Sequence, residues 1–189
     1  RASRFRHELG IHPETMVVLY AGHIGSKQAL HLALEAAAAL TSDGNIAFVI
    51  AGDGPLRREL QGAYGHLPNV NFLPLQSEDD RCELLNLADI HILPQEAGTA
   101  DLVLPSKLGG MLASGRPILA AIDPKTELHD LLNGVAVIVP ASDAAAIAAA
   151  IRDLSRQDRS TLGRKSRELA HTFSKDRILD QFRSVILAR

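Results

Sequence analysis

MVVLYAGHIGSKQ, residues 16–28, runs from an unbroken apolar stretch through two glycines into the start of a helical pattern. An apolar run rich in β-branched residues that does not alternate with polar ones reads as a strand covered on both faces, the setting of a parallel sheet. The same signature returns in IAFVIAG (46–52), VNFLP (70–74), IHILP (90–94), PILAAI (117–122) and VAVIV (135–139). Helical patterns fill the intervals, over 28–40, 56–64, 77–88, 106–114, 125–132 and 142–154. Strand and helix in alternation mean βαβ units with right-handed crossovers. The sequence therefore predicts an α/β fold: a doubly wound, Rossmann-like parallel sheet of about six strands, followed by C-terminal helices.

Length suits one domain spanning 1–189. The Ala-rich pieces at 36–39 and 144–150 fall inside amphipathic helices, where small side chains allow close approach to a sheet. The tail from 155 is polar and Arg-rich, with two helical pieces parted near His171–Ser174. Ser174 is placed to cap a last helix over 174–189, and Ile178, Phe182, Val185 and Ile186 form its apolar stripe.

Composition narrows the function. The chain is 46% hydrophobic and 22% charged with a formal net charge of −2, so no strong field calls for nucleic acid or an anionic membrane. Aromatics are 4% with no Trp, which removes the stacking platforms of single-strand binders. The single cysteine, Cys82, has no disulfide or CxxC partner and reads as a helix-packing thiol in a reducing, cytoplasmic compartment. The start, RASRFRHELG, lacks the apolar core of a signal peptide and carries no initiator Met, so a longer chain is expected.

In an open parallel sheet ligands bind beyond the carboxyl ends of the strands. The first loop there, AGHIGSKQ (21–28), has Gly22 and Gly25 for a tight turn, N–H groups at a helix start and the charge of Lys27, the parts of a phosphate cradle. It matches neither GxxxxGK[ST] nor GxGxxG, and turn glycines beside a solvated lysine account for it equally. His23 is open in the same way, between surface residue and ligand contact. In AGDGPLRREL (51–60), Asp53 reads as a cap and Pro55 as the first helical turn. In LPLQSEDD (73–80), Ser77 caps a helix whose first turn, Glu78, Asp79 and Asp80, is acidic, leaving Leu75 and Gln76 to meet a base or sugar edge.

The loop over 95–106 is longer than a compact connection needs and carries Glu96, Gly98, Thr99 and Asp101 before Pro105 and Ser106. Lys107 follows in the expected first turn of a helix, where a cation is unfavourable unless an anion lies nearby. Gly109 and Gly110, each costing a helix about 1 kcal/mol against Ala, either let a ligand rest on helix backbone or let the helix pack closely on the fifth strand. Metal binding is not expected: the histidines lack ligand spacing and no acidic pair follows a strand.

Together YAGHIGSKQ, VIAGDGPLRREL, NVNFLP, LADIHILP and PSKLGGMLASGRPILA resemble the donor-binding, C-terminal half of GT-B glycosyltransferases of family 4, in the bacterial exopolysaccharide, colanic-acid-type branch. The likeness runs from about residue 10 to the end; AGDGP and ADIHILP are general to the family, and PSKLGGMLASGRP is narrower. The resemblance implies a retaining, metal-independent hexosyltransferase whose donor is a UDP- or GDP-sugar, with no further cofactor. It also implies a separate N-terminal domain for a glycan or lipid-linked acceptor, through which any peripheral membrane contact would be made, and residues 174–189 as the helix that crosses to it. This half alone would be inactive.

Residue by residue, the resemblance sets Gly22, His23, Gly25 and Lys27 towards the diphosphate, and Leu75 and Gln76 beside the base. Ser106, Lys107 and Leu108 meet phosphate at a helix start. Many relatives carry two glutamates eight positions apart, the first near the donor sugar and the second holding the ribose hydroxyls; those positions are Leu102 and Gly110 here, so ribose recognition and sugar positioning are expected to fall to Asp101 or Glu96, with Gly98 and Thr99 beside them. A nucleotide-sugar epimerase and a non-catalytic nucleotide-binding domain are the alternatives.

Overall fold

The computed structural model describes residues 4–99 and 104–174, together with Arg177, Leu179 and Arg183. Six strands form one parallel sheet: β1 Met16–Ala21, β2 Ile46–Ala51, β3 Val70–Leu73, β4 Ile90–Pro94, β5 Ile118–Ala121 and β6 Val137–Val139. Their order is β3-β2-β1-β4-β5-β6, so the chain reverses direction across the sheet between β1 and β4. Such a switch point leaves a crevice at the strand tips. Register brings the tips level: Ala21 lies beside Ala51, Ala51 beside Leu73, and Pro94 beside Ala121.

Of the interior strands, β2, β4 and β5 are buried throughout and β1 up to Ala21, which is half-buried, as their unbroken apolar runs require. The two edge strands are less covered than the sequence suggests: in β3 only Val70 is buried, and β6 is half-buried along its length. Edges have a neighbour on one side only.

The helices are α1 Arg4–Glu8, α2 Leu30–Ala39, α3 Arg57–Tyr64, α4 Glu78–Leu87, α5 Leu108–Ser114, α6 Glu127–Leu132, α7 Ala144–Arg156 and α8 Ser160–Thr172. Alternation along each strand sends Val18, Phe48 and Ile92 to one face, against Leu30 and Leu34 of α2 and Ile147 and Ile151 of α7. On the other face Val17, Leu19 and Val49 meet α1 and α4 through Phe5, Leu84 and Leu87, while Leu93, Ile118 and Ala120 meet α5 and α6. Buried Ala33, Ala36, Ala37 and Ala148 provide the close helix approach read from the Ala-rich segments.

Local expectations change where tertiary contacts intervene. The first helix does not begin smoothly at Gln28: a 3-10 turn over Ser26–Gln28 is followed by Ala29 in the left-handed region, and α2 starts after it. Asp53 does not cap α3; its Oδ1 accepts the adjacent Gly54 N–H at 2.8 Å, and α3 begins only at Arg57, beyond Pro55. Cys82 is exposed, so it is no packing thiol. The expected helix over 174–189, with Ile178 and the rest of its stripe, lies outside the described residues apart from Ser174, Arg177, Leu179 and Arg183.

Glycines tie the first two loops together. Gly52, at φ +147°, lies so close to Gly22 that a Cβ there would land on the Gly22 carbonyl, and one on Gly54 would meet the carbonyl of Ile24. Gly22 N–H donates to Ala51 O at 2.9 Å, Ile24 N–H to Asp53 O at 2.9 Å, and Leu56 N–H to Ile24 O at 3.2 Å. The loops after β1 and β2 are thus one interlocked backbone unit.

Candidate active site

A cleft of about 240 Å³ opens at the switch point. Gly22, Ser106, Lys107 and Gly110 form one side; Leu75 and Gln76, after β3, and Glu78, Arg81, Leu84 and Leu85, of α4, form the other. A second opening of about 410 Å³ shares Gly22 and Leu75 and adds His23, Asp53 and Gly54. Leu75, between them, is 71% exposed, an apolar surface that a planar group could cover.

Lys107 stands immediately before α5 rather than within its first turn, and the helix has seven residues, so local charge matters here more than a dipole. Its stem passes Gly22, where an added Cβ would lie 3.4 Å from Lys107 Cδ. Its ammonium rests over the Tyr20 ring, 4.2 Å from the centroid, and pairs with no carboxylate of the described residues. Burial pulls its pKa down to about 8. A half-buried cation without an anion is costly to the fold and favourable to an anionic ligand. Gly22 needs its backbone, at φ +150°, and its missing side chain leaves room for that lysine.

Across the cleft, Arg81 Nη1 donates to both carboxylate oxygens of Glu78 at 2.9 Å. Glu78, read from sequence as a dipole-matching charge, is the carboxylate among the described residues that line the cleft.

The twin glycines have different settings. A Cβ on Gly109 would meet nothing within 4 Å, so no close packing explains it; one on Gly110 would face Leu85 Cδ1 at 3.1 Å across the cleft wall. The tight helix contact on this side is elsewhere, at Gly163 of α8 against the Gly115 carbonyl.

The structure brings Gly22, Leu75, Gln76, Ser106, Lys107 and Gly110 to one cleft and His23 to its neighbour. Lys27 is exposed and does not line the cleft; its carbonyl accepts the Glu96 N–H at 3.0 Å, which ties the first loop to the loop after β4. Glu96, exposed on that rim, also stays outside the cleft lining. Gly98 N–H donates to Asp123 Oδ2 at 2.6 Å and Thr99 N–H to Glu96 O at 3.2 Å, so both amides are committed within the rim. Asp101 and Leu102 lie outside the described residues.

Two expectations need correction. Leu108 is buried against the α5–α6 core and its N–H donates to Pro105 O at 2.9 Å, so it offers the cleft neither side chain nor amide. Gly25 has extended backbone, φ −131°, and its N–H goes to Gln28 Oε1 at 3.1 Å; a Cβ there would come within 2.9 Å of the His23 ring, an exposed side chain. The amides of Gly22, Ile24, Gln28 and Ala29 are also spent on backbone partners, so the first loop has fewer free donors than its composition suggests.

Tyr20 was hidden from sequence reasoning. It is the penultimate residue of β1, is fully buried, and its hydroxyl donates to the His23 carbonyl. Its place one residue before the loop Ala21–Gly22 is the only signal. Among the described residues no group of His, Cys, Asp and Glu could hold a metal ion, and no helix is long and apolar enough to cross a membrane.

A doubly wound sheet with a cationic cleft at its switch point defines a nucleotide-binding class of domain. The family is specified by sequence: residues 15–157 match the model of the family described as Glycosyl transferases group 1, and the chain belongs to that family. It is 37% identical over 182 residues to the Escherichia coli (strain K12) protein named "Putative colanic acid biosynthesis glycosyl transferase WcaI", covering 94% of this chain and 44% of that protein. It is 30% identical over 139 residues to alpha-D-kanosaminyltransferase of Streptomyces kanamyceticus, covering 71% of this chain and 32% of the relative. The chain thus spans less than half the length of these relatives. The crystal structure of HepE from Anabaena in complex with UDP-glucose superposes with a TM-score of 0.79 at 17% identity, over 99% of this chain and 52% of that one, which shows the shared fold. The chain is a glycosyltransferase domain of this family whose single Rossmann-like sheet has the fold of one half of a GT-B structure.

Proposed function

We propose that this chain is the donor-binding part of a retaining, metal-independent glycosyltransferase that moves a sugar from a nucleoside-diphosphate sugar to a glycan or lipid-linked acceptor in polysaccharide biosynthesis. The carrying observation is Lys107, a half-buried ammonium with no acidic partner among the described residues, held beside Gly22 at the switch point. The diphosphate lies against Lys107 and Ser106, and the base covers Leu75 beside Gln76. Glu78 is positioned on the opposite wall to accept from ribose hydroxyls, a role the glycine at 110 leaves unfilled. Lys27 from the first loop and Glu96 from the rim after β4 meet the donor, with Asp101 the other candidate carboxylate of that stretch of sequence. As the bond from the anomeric carbon to the diphosphate breaks, charge grows on the leaving oxygens, and a pre-placed ammonium stabilises it more than it stabilises the intact donor.

The solved neighbours include HepE with UDP and glucose, which supports a uridine nucleotide as the first ligand to try. The acceptor belongs to a separate N-terminal domain reached by the segment 174–189, as does any contact with a cytoplasmic membrane face. Calorimetric titration of UDP, GDP and UDP-glucose tests the reading, with Lys27→Ala and Lys107→Ala alongside. UDP should bind, and Lys107→Ala should weaken it at least tenfold; nucleotide binding that neither substitution weakens overturns the phosphate assignment.

A further inference from the structure

Tyr20 is one of the largest fully buried side chains, yet two of its atoms groups serve the cleft and not the core. Its ring face lies under the Lys107 ammonium, and its hydroxyl holds the His23 carbonyl, which is the backbone between Gly22 and Ile24. We propose that Tyr20 is the positioning residue of the donor-phosphate site: its ring seats the Lys107 ammonium beside Gly22 before any nucleotide arrives, so that the anion meets a cation already in place. This rests on the reading of Lys107 as a phosphate ligand.

A lysine stem has several rotatable bonds, and in this cleft no carboxylate of the described residues fixes its end. An aromatic face attracts an ammonium without neutralising it, whereas an acidic partner would have to be displaced by the phosphate. The Tyr20 phenol, ordinarily neutral near pH 8 and pushed further up by burial, does not compete as an anion. The titratable groups around Lys107 are then Tyr20 beneath it and, across the cleft, Glu78 and Arg81 from α4, paired to each other, while His23 and Asp53 line the neighbouring opening. With the free ammonium titrating at about 8, nucleotide binding near that pH takes up a proton, because the diphosphate holds Lys107 charged.

The test titrates UDP by calorimetry into wild type, Tyr20→Phe, Tyr20→Leu, Lys107→Ala and the Tyr20→Leu/Lys107→Ala double variant, at pH 8 in two buffers of different ionisation enthalpy. Tyr20→Phe keeps the ring and should stay within about threefold of wild type, while Tyr20→Leu should lose about tenfold. In the Lys107→Ala background Tyr20→Leu should cost nothing further, and the proton uptake of wild type should vanish with Lys107. An equal loss in both backgrounds would make Tyr20 a structural residue only and overturn the proposal. Should Lys107→Ala itself leave UDP affinity unchanged, the phosphate reading fails first. If Tyr20→Leu does not fold, NMR of wild type decides: the Lys107 ε-methylene protons should be shifted upfield by the ring and titrate near pH 8, and random-coil positions for them would overturn the seat.

Discussion

The two ends of the sheet handle charge in opposite ways. At the strand N-termini lies a cavity of about 620 Å³, lined by Arg152, Arg159, Asp43 and Asp89 among others. There Arg152 Nε meets Asp43 Oδ2 at 2.7 Å, Arg6 Nη2 meets Asp89 Oδ2 at 3.0 Å, and Arg159 Nη1 donates to Leu154 O at 2.8 Å. At the C-terminal tips the cleft is smaller, about 240 Å³, and its lysine is left without an acidic partner among the described residues. Size therefore does not mark the site. Charge left uncompensated does, because a fold tolerates it only where something else offsets the desolvation.

His91, midway along β4, is a third case: it is buried and stays uncharged, with Nε2 3.0 Å from Ser114 Oγ. Burial, aided by Arg116, lowers its pKa from 6.5 to about 4. The unfolded chain therefore binds the extra proton first, and stability should fall by about 3 kcal/mol as pH drops through that window. Urea unfolding in pH steps checks this, and His91→Gln should flatten the slope; an unchanged slope would assign the acid loss to other groups.

Asp89→Ala tests the compensated end. Its Oδ2 accepts from both Arg6 and the Val17 N–H, so removal should cost about 2 kcal/mol of unfolding free energy and leave UDP affinity as it was. A loss of UDP binding without a loss of stability would invert the contrast between the two ends.

At the other end, Lys107→Met should act with the opposite sign. Because the folded pKa of about 8 lies below the ordinary 10.5, the charged lysine destabilises the fold at neutral pH, and that cost fades as pH rises from the lower value to the higher. The substitution should raise stability at pH 7 by about 1 kcal/mol, with a gain that shrinks above pH 8, while UDP binding drops. Thermal melts across pH 7–10 would expose the error if the variant were less stable throughout.

The smallest effect belongs to the twin glycines. Gly109→Ala meets open space and should add up to about 1 kcal/mol of stability with no change in nucleotide affinity, whereas Gly110→Ala must push Leu85 and should narrow the cleft. Equal behaviour of the two would remove the reason for treating Gly110 as a cleft residue.

Much of this was legible in the chain. All six apolar runs are strands within a residue or two, because burial on both faces leaves an unbroken hydrophobic signature that tertiary context cannot hide. Ser77 as a cap was equally plain, its side chain accepting the Asp80 N–H at 3.3 Å, since capping is a local affair. What stayed illegible depends on contacts distant in sequence. Tyr20 looks like any strand residue until a lysine far along the chain crosses its ring, and Leu108 looks available until its side chain is seen to pack in the cluster of Leu93, Ile118 and Leu128. Glu78 and Glu96 exchange places for a similar reason: the sequence offers Glu78 as a dipole-matching charge and Glu96 as a site carboxylate, and only the switch-point geometry brings Glu78 into the cleft and leaves Glu96 outside it.

The glycine contacts between the loops after β1 and β2 carry a consequence for building hybrids from related enzymes. Residues 22–24 and 52–54 fit only each other's backbone, so a donor specificity transplanted by exchanging either segment alone should misfold at the graft, while exchange of both as a pair should be accepted.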